Sequence, residues 1–216
     1  TCLYPGGTTF TVPTTPLTNI TNTSLLTCQS SQFIDNSTNA FTITTAGNTQ
    51  PVPANPFGMT AWSGYFDGTG DYLTVPNNAA FNLGSGDATI EAWVFPASGG
   101  QTCGIFDKRL VGANYSQFPQ VALVSGAFVA YVSYTGSSWA GTINGATPAV
   151  NAWTHVAFVR NGNTWTLYVN GVVSGTPFTA AGSVYTSTDN LVIGASTTAG
   201  LNPINGAISN ARIVKG

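Results

Sequence analysis

Charge is what this chain most conspicuously lacks. Of its 216 residues only 6% are charged, five basic and seven acidic, against a usual share of about 25%. Five scattered cations make no stripe or patch, so a nucleic acid would find no electrostatic footprint. Long apolar runs are missing too. None approaches the 18 or more residues of a membrane-spanning helix, and no basic segment leads into an apolar one as in a secretory leader. Thr1 stands where Met would open a primary translation product, which gives the expectation of a processed chain or of a piece of a longer one. A surface this poor in charge must be solvated by hydroxyls and amides, which suits extracellular particles and assemblies.

Chemistry-bearing residues are equally scarce. There is one histidine, His155, and one glutamate, Glu91. Without a second His or a G-x-S-x-G elbow, no nucleophilic triad can be assembled. Asp87 shares a face with Glu91 by strand parity, but four extended residues separate them by about 13 Å, beyond the roughly 5–9 Å of paired-carboxylate hydrolysis. The chain is therefore expected to be no enzyme, with Glu91 a structural acceptor and His155 a hydrogen-bonded strand residue. Cys2, Cys28 and Cys103 are too dispersed for a zinc knuckle. They read as buried thiols, or as a Cys2–Cys28 disulfide of an oxidising exterior.

Helix formers are the last absence. With 25 Gly and 12 Pro, breakers interrupt nearly every long window. What remains is strand chemistry. In NAWTHVAFVRNGNTWTLYVNGV (151–172), Trp165, Leu167 and Val169 alternate with Thr166, Tyr168 and Asn170, the period of a half-buried strand. Asn161-Gly162-Asn163 between the two β-forming runs reads as a hairpin turn, because Asn and Gly tolerate positive φ. Ser125-Gly126 reads the same way. Ile90, Ala92 and Val94 alternate within 87–95, as in a central strand.

About twelve short strand candidates are spaced by turns: 24–28, 41–45, 62–66, 72–75, 87–95, 103–108, 120–124, 127–134, 139–143, 153–160 with 164–170, 191–195 and 207–214. Gln50–Asn55 reads as a Pro-bearing connector. The pattern predicts an all-β, two-sheet antiparallel β-sandwich, since stacked sheets give every alternating strand a place to bury one side. Residues 1–23, with Pro13 and Pro16, read as an extended arm or inter-repeat linker before a sandwich spanning 24–216. At this size the sandwich buries roughly 70% of its unfolded surface, so no staples are needed.

YFDGTGDYLTVPN (65–77), ATIEAWVFP (88–96), NAWTHVAFVRNGNTWTLYVNG (151–171), LVIGA (191–195) and NGAISNARIVKG (205–216) together resemble laminin-G-like, concanavalin A-like jelly-roll domains over about residues 57–216. SLLTCQSSQFIDNSTNAFTIT (24–44) is similar to the version in structural proteins of marine tailed bacteriophages. That resemblance implies a non-enzymatic virion or tail-fibre module, oligomeric and packed against neighbouring copies or other virion proteins. In those relatives a segment like residues 1–17 follows a strand like ISNARIVKG, which implies one period of a tandem array or a domain entered through a linker from an identical neighbour. Two other functions stay open: a dedicated carbohydrate-binding module, and a cell-surface or matrix adhesin. Two or more exposed aromatics lining a groove would favour sugar; an arm reaching onto another subunit would favour assembly.

The resemblance also brings a ligand question. Many laminin-G-like domains bind calcium at a rim of the sandwich, and here Asp67 and Asp71, around a Gly-rich turn, are the candidate oxygen donors. Each could equally cap its own turn. For a glycan, the candidate stacking and hydrogen-bonding residues are Asn114, Tyr115, Gln117, Tyr131, Tyr134 and Trp139. Trp153 and Trp165 are assigned to the core, and Asp107-Lys108-Arg109 to a solvated hairpin end that could also pin a neighbouring subunit.

Overall fold

The computed structural model describes residues 2–58, 61–109, 112, 115, 118–197 and 199–216. In chain order the strands are β1 (Thr23–Thr27), β2 (Thr44–Ala46), β3 (Gln50–Val52), β4 (Ser63–Asp67), β5 (Tyr72–Val75), β6 (Ala88–Pro96), β7 (Cys103–Asp107), β8 (Gln120–Val124), β9 (Ala127–Val132), β10 (Gly141–Asn144), β11 (Thr154–Asn161), β12 (Thr164–Val169), β13 (Val172–Val173), β14 (Phe178–Thr179), β15 (Leu191–Ile193) and β16 (Asn205–Lys215). Among the described residues the only helical element is a single 3-10 turn, Ala79–Phe81. The strands form two antiparallel sheets. One runs β13-β12-β11-β6-β16-β4-β3, with β1 also pairing β16 and β14 pairing β12; the other runs β10-β9-β8-β7-β15-β5-β2. The all-β sandwich read from the alternation is the fold.

Period-two patterning builds the space between the sheets. Ala88, Ile90, Ala92 and Val94 of β6 join Val156 and Phe158 of β11 and Leu167 of β12 in one buried cluster with Val121, Leu123, Phe128 and Ala130 from the facing sheet. Arg160 closes one end. Fully buried, it donates to the carbonyls of Gly162, Gly84 and Gly182, and its guanidinium lies 5.4 Å from the Trp165 ring centroid. Tight turns hold the hairpins: Ser125 and Gly126 have φ of 50° and 87°, the positive values that a two-residue connection needs. Departures from expectation are local. Gln50–Val52 is a strand despite Pro51, tolerable because β3 is a sheet edge. The strand expected over 41–45 shrinks to β2, since the Phe41 amide donates to Asp35 Oδ2 and its ring packs on Phe81.

The N-terminal arm folds back across the outer face of the first sheet. Its backbone extends the β13 edge, with Phe10 N donating to Gly171 O and Val173 N to Thr8 O. Gly171 is required there: its φ is +75°, and a Cβ would fall 2.3 Å from the Phe10 carbonyl oxygen. Tyr4 stacks on Phe10 at 3.7 Å, and Phe10 meets Tyr168 and His155 edge-on. Beneath them lies Glu91, fully buried. Arg212 Nε and Nη2 donate to its Oε1 at 2.9 and 2.6 Å. Tyr4 Oη donates to Oε2 at 2.8 Å, and His155 Nε2 lies 3.1 Å from the same oxygen.

A bulge in β16 aims Arg212 at this carboxylate. Ser209 pairs Trp93 and Arg212 pairs Glu91, so Asn210 and Ala211 together oppose one residue. Asn210 takes φ +54°, and its Oδ1 accepts from the arm's Leu17 amide at 2.7 Å. Burial pushes the Glu91 carboxyl upward, but the His155 hydrogen bond and the Arg212 charge outweigh it and hold it below its ordinary 4.5. The cysteines are free and buried. Cys2, at the head of the arm, packs with Ala157, Val159 and Tyr168, and Cys28 lies in the main core, so no disulfide joins them.

Replacing Arg212 by Met leaves a buried carboxylate uncompensated and is expected to cost about 3–5 kcal/mol in urea unfolding; Tyr4→Phe removes one bond to a charged group and should cost about 1.5–3 kcal/mol. Because the folded carboxyl titrates below the unfolded one, its stabilisation is complete above pH 4.5 and is lost as pH falls through the depressed folded value. Wild type should therefore weaken in that acid window more steeply than Glu91→Gln.

Candidate functional site

On the outer face of the second sheet, β7, β8 and β9 form the floor of a groove of about 240 Å³. Register fixes its composition. Gln120 lies opposite Tyr131 and Ala122 opposite Val129, so alternate residues of β8 and β9 turn outward while Val121, Leu123 and Ala130 enter the core. Tyr131 forms one wall with Trp139, which leads into β10; their ring centroids are 4.7 Å apart at 31°. Tyr115 meets Trp139 edge-on at 5.0 Å. Ser196 and Asn202 also line the groove. They reach it because Gly104 has no side chain: a Cβ there would lie 2.3 Å from the Ala195 carbonyl oxygen.

Arg109 lines the groove beside Gln120. Gln120 Nε2 donates to Asp107 Oδ2 at 2.8 Å, and Arg109 Nε lies 3.7 Å from that oxygen. The cluster 107–109, expected to be solvated, is not. Asp107 and Lys108 are buried, and Lys108 Nζ donates to Asn77 Oδ1 and the Ser187 carbonyl. Burial lowers the Lys108 ammonium to about 8, against the raising influence of Asp189. Burial also raises the Tyr131 phenol. It pushes Cys103, at the groove's base, up to about 12, so its thiol is no nucleophile.

The other expected site residues fall in separate places. Tyr134 stands away from the groove wall, its hydroxyl donating to the Ala180 carbonyl and accepting from Trp165 Nε1. Asn114 and Gln117 lie outside the described residues. Asp67 and Asp71 meet at a corner between the sheets. Asp71 is buried and accepts from the amides of Asn48 and Asp67, joining the β2–β3 turn to the β4–β5 turn. Asp67 accepts from its own turn at Thr69. Among the described residues no three His, Cys, Asp or Glu gather as a metal would require. Trp153 is not core. It is half-buried, 5.3 Å from Phe95, in a cleft of about 130 Å³ with Val52, Ala54, Tyr65, Ala97 and Ala207, an apolar lining in which the Tyr65 phenol is the one polar side-chain group.

Glu91 has no route to catalysis. Fully buried beneath the arm and bonded to Arg212, Tyr4 and His155, it faces no cleft and no second carboxylate. Of the glycan candidates expected from the sequence, the structure brings Tyr115, Tyr131 and Trp139 together; Arg109, Gln120, Ser196 and Asn202, which also line the groove, were not among those candidates. Only the parity of Gln120 at the head of an alternating strand signalled an outward position.

A sequence model described as the concanavalin A-like lectin/glucanases superfamily matches residues 67–216. No curated protein matches. Among solved structures, the binding domain of Paraclostridial Mosquitocidal Protein 1 aligns at TM-score 0.68 and 16% identity, over 90% of this chain and 49% of that one. The binding domain of botulinum neurotoxin DC in complex with SialylT gives 0.64 and 16%, over 90% and 47%. A botulinum neurotoxin type C structure concerned with interaction with two ganglioside molecules gives 0.65 and 15%, over 90% and 48%. The chain thus spans about half of each.

These findings correct the expected virion or tail-fibre protein. The neighbours are toxin binding domains, and the family match begins after the 24–44 segment on which the bacteriophage resemblance rested. The arm, too, contacts its own sheet.

Asp71→Asn turns one acceptor into a donor facing an amide. It is expected to cost about 1–3 kcal/mol, equally with calcium and with chelator, measured by thermal melting. A loss confined to the calcium-loaded protein would reveal a cation held there.

Proposed function

The chain belongs to the concanavalin A-like lectin/glucanases superfamily, and from that premise we propose that it is a carbohydrate-binding module acting outside the cell on a surface glycan. One observation carries the reading: Tyr131 and Trp139 form an aromatic wall beside a buried amide and a guanidinium, in one groove. Sugars offer an apolar ring face edged by hydroxyls, and such a wall with a few convergent polar groups is the complement. The groove's 240 Å³ falls below the roughly 300–1,000 Å³ of sites enclosing drug-sized ligands, which suits one terminal ring. The neurotoxin neighbours solved with SialylT or concerned with gangliosides support a glycan partner. The likeness spans about half of each neighbour, so the proposal rests on this groove.

The test is a glycan array, run with calcium and with chelator, on wild type and Trp139→Ala. Wild type should bind a defined set of glycans. The variant should weaken binding by about 2 kcal/mol, roughly thirtyfold, while its unfolding free energy changes by about 1 kcal/mol or less, as for a half-exposed side chain. Unchanged binding in Trp139→Ala, or a blank array for wild type, would overturn the reading.

A further inference from the structure

Asp107 sets the polarity of the groove. A carboxylate only accepts hydrogen bonds, so the Gln120 amide must turn its nitrogen toward Asp107 Oδ2, as it does at 2.8 Å. The Gln120 carbonyl oxygen is then the atom left to accept from a ligand. Arg109 approaches that same Asp107 oxygen at 3.7 Å, beyond hydrogen-bond reach, and its buried Nε has no hydrogen-bond partner. A guanidinium can only donate. Because both side chains converge on one oxygen, an acceptor and a donor stand as neighbours. Tyr131, directly across from Gln120 in the β8–β9 register, places the aromatic wall beside them.

We propose that this groove reads a vicinal diol, two adjacent free hydroxyls on one sugar ring, which names the ligand class for the carbohydrate-binding reading on which it rests. One hydroxyl donates to Gln120 Oε1, its neighbour accepts from Arg109, and the ring's apolar face lies on Trp139. A hydroxyl both donates and accepts, so an adjacent pair satisfies both protein groups. A sulfate or carboxylate substituent only accepts. Placed there it would leave Gln120 Oε1 unmatched and bring a second anion beside Asp107. The groove therefore selects neutral rings with unsubstituted neighbouring hydroxyls at this position.

The experiment uses the full chain and immobilised galactose, glucose, mannose, fucose and N-acetylhexosamine glycosides, each with its deoxy, O-methyl and O-sulfate derivatives. A parallel set is treated with periodate, which cleaves the carbon–carbon bond between adjacent hydroxyls, and then reduced. For the sugar that binds, blocking either hydroxyl, sulfating it or periodate cleavage should weaken binding at least tenfold. Gln120→Met and Arg109→Met should each weaken the parent sugar at least tenfold, and each should lose discrimination against the derivative lacking its own hydroxyl. The ligand-side comparisons need no variant, so an unfolded variant leaves the test intact. Binding that Trp139→Ala abolishes but that diol blocking or cleavage leaves unchanged would overturn the diol and preserve the carbohydrate reading. Failure of every underivatised sugar to bind would overturn both.

Discussion

The structure depends on a carboxylate on the outer face of a sheet. Glu91 lies where alternation places an outward residue, yet it is fully buried, because Arg212, His155 and Tyr4 surround it. A buried carboxylate is tolerable only when its oxygens are bonded and its charge is matched. Each partner comes from a different part of the chain: Arg212 from β16 through its bulge, His155 from β11, and Tyr4 from the arm. The cluster therefore ties the N-terminal segment to the two central neighbours of β6. With the arm in place, Ala157, Val159 and Tyr168 become a second small core, and most of this face is closed to ligands.

The opposite sheet carries a corresponding acid, Asp107, with a different outcome. Glu91 receives two N–H groups of one guanidinium on Oε1 and two further groups at Oε2; Asp107 holds Gln120 in a fixed orientation while Arg109 stays outside bonding distance. One carboxylate completes a structural cluster. The other leaves an oriented amide and a donor beside an aromatic wall. In a chain with so few charges, both organising anions are placed by strand register, and the contrast between them separates the closed face from the open one.

Local geometry was legible in the sequence. Ser125-Gly126 and the Asn161-Gly162-Asn163 turn could be read because positive φ is a property of the residues themselves. The inward set of β6 could be read because period two needs no partner strand. What required partners was not legible. The bulge at Asn210 exists only against β6, and the fold-back of the arm only against Gly171 and Glu91, far along the chain. Asp107-Lys108-Arg109 looked solvated because neighbouring charges usually are; register instead buried the first two. Trp153 looked like core, but β11 begins after it and leaves it in an open cleft. The aromatic wall was half legible: Tyr115, Tyr131 and Trp139 could be picked out by type and lie together, whereas the placing of Gln120 and Arg109 beside them depends on a shared contact with Asp107. The bacteriophage expectation drew on residues before the family's match and did not survive comparison.

Amide hydrogen exchange on the full chain, with and without a saturating sugar, tests most directly whether one face is closed and the other receptive. New protection is predicted in β8, β9 and β10 and around residues 196 and 202, with the arm and the strands beneath it unchanged. Protection appearing instead along the arm, β11 and β12, or around Trp153, with the Tyr131–Trp139 groove unaffected, would contradict the account.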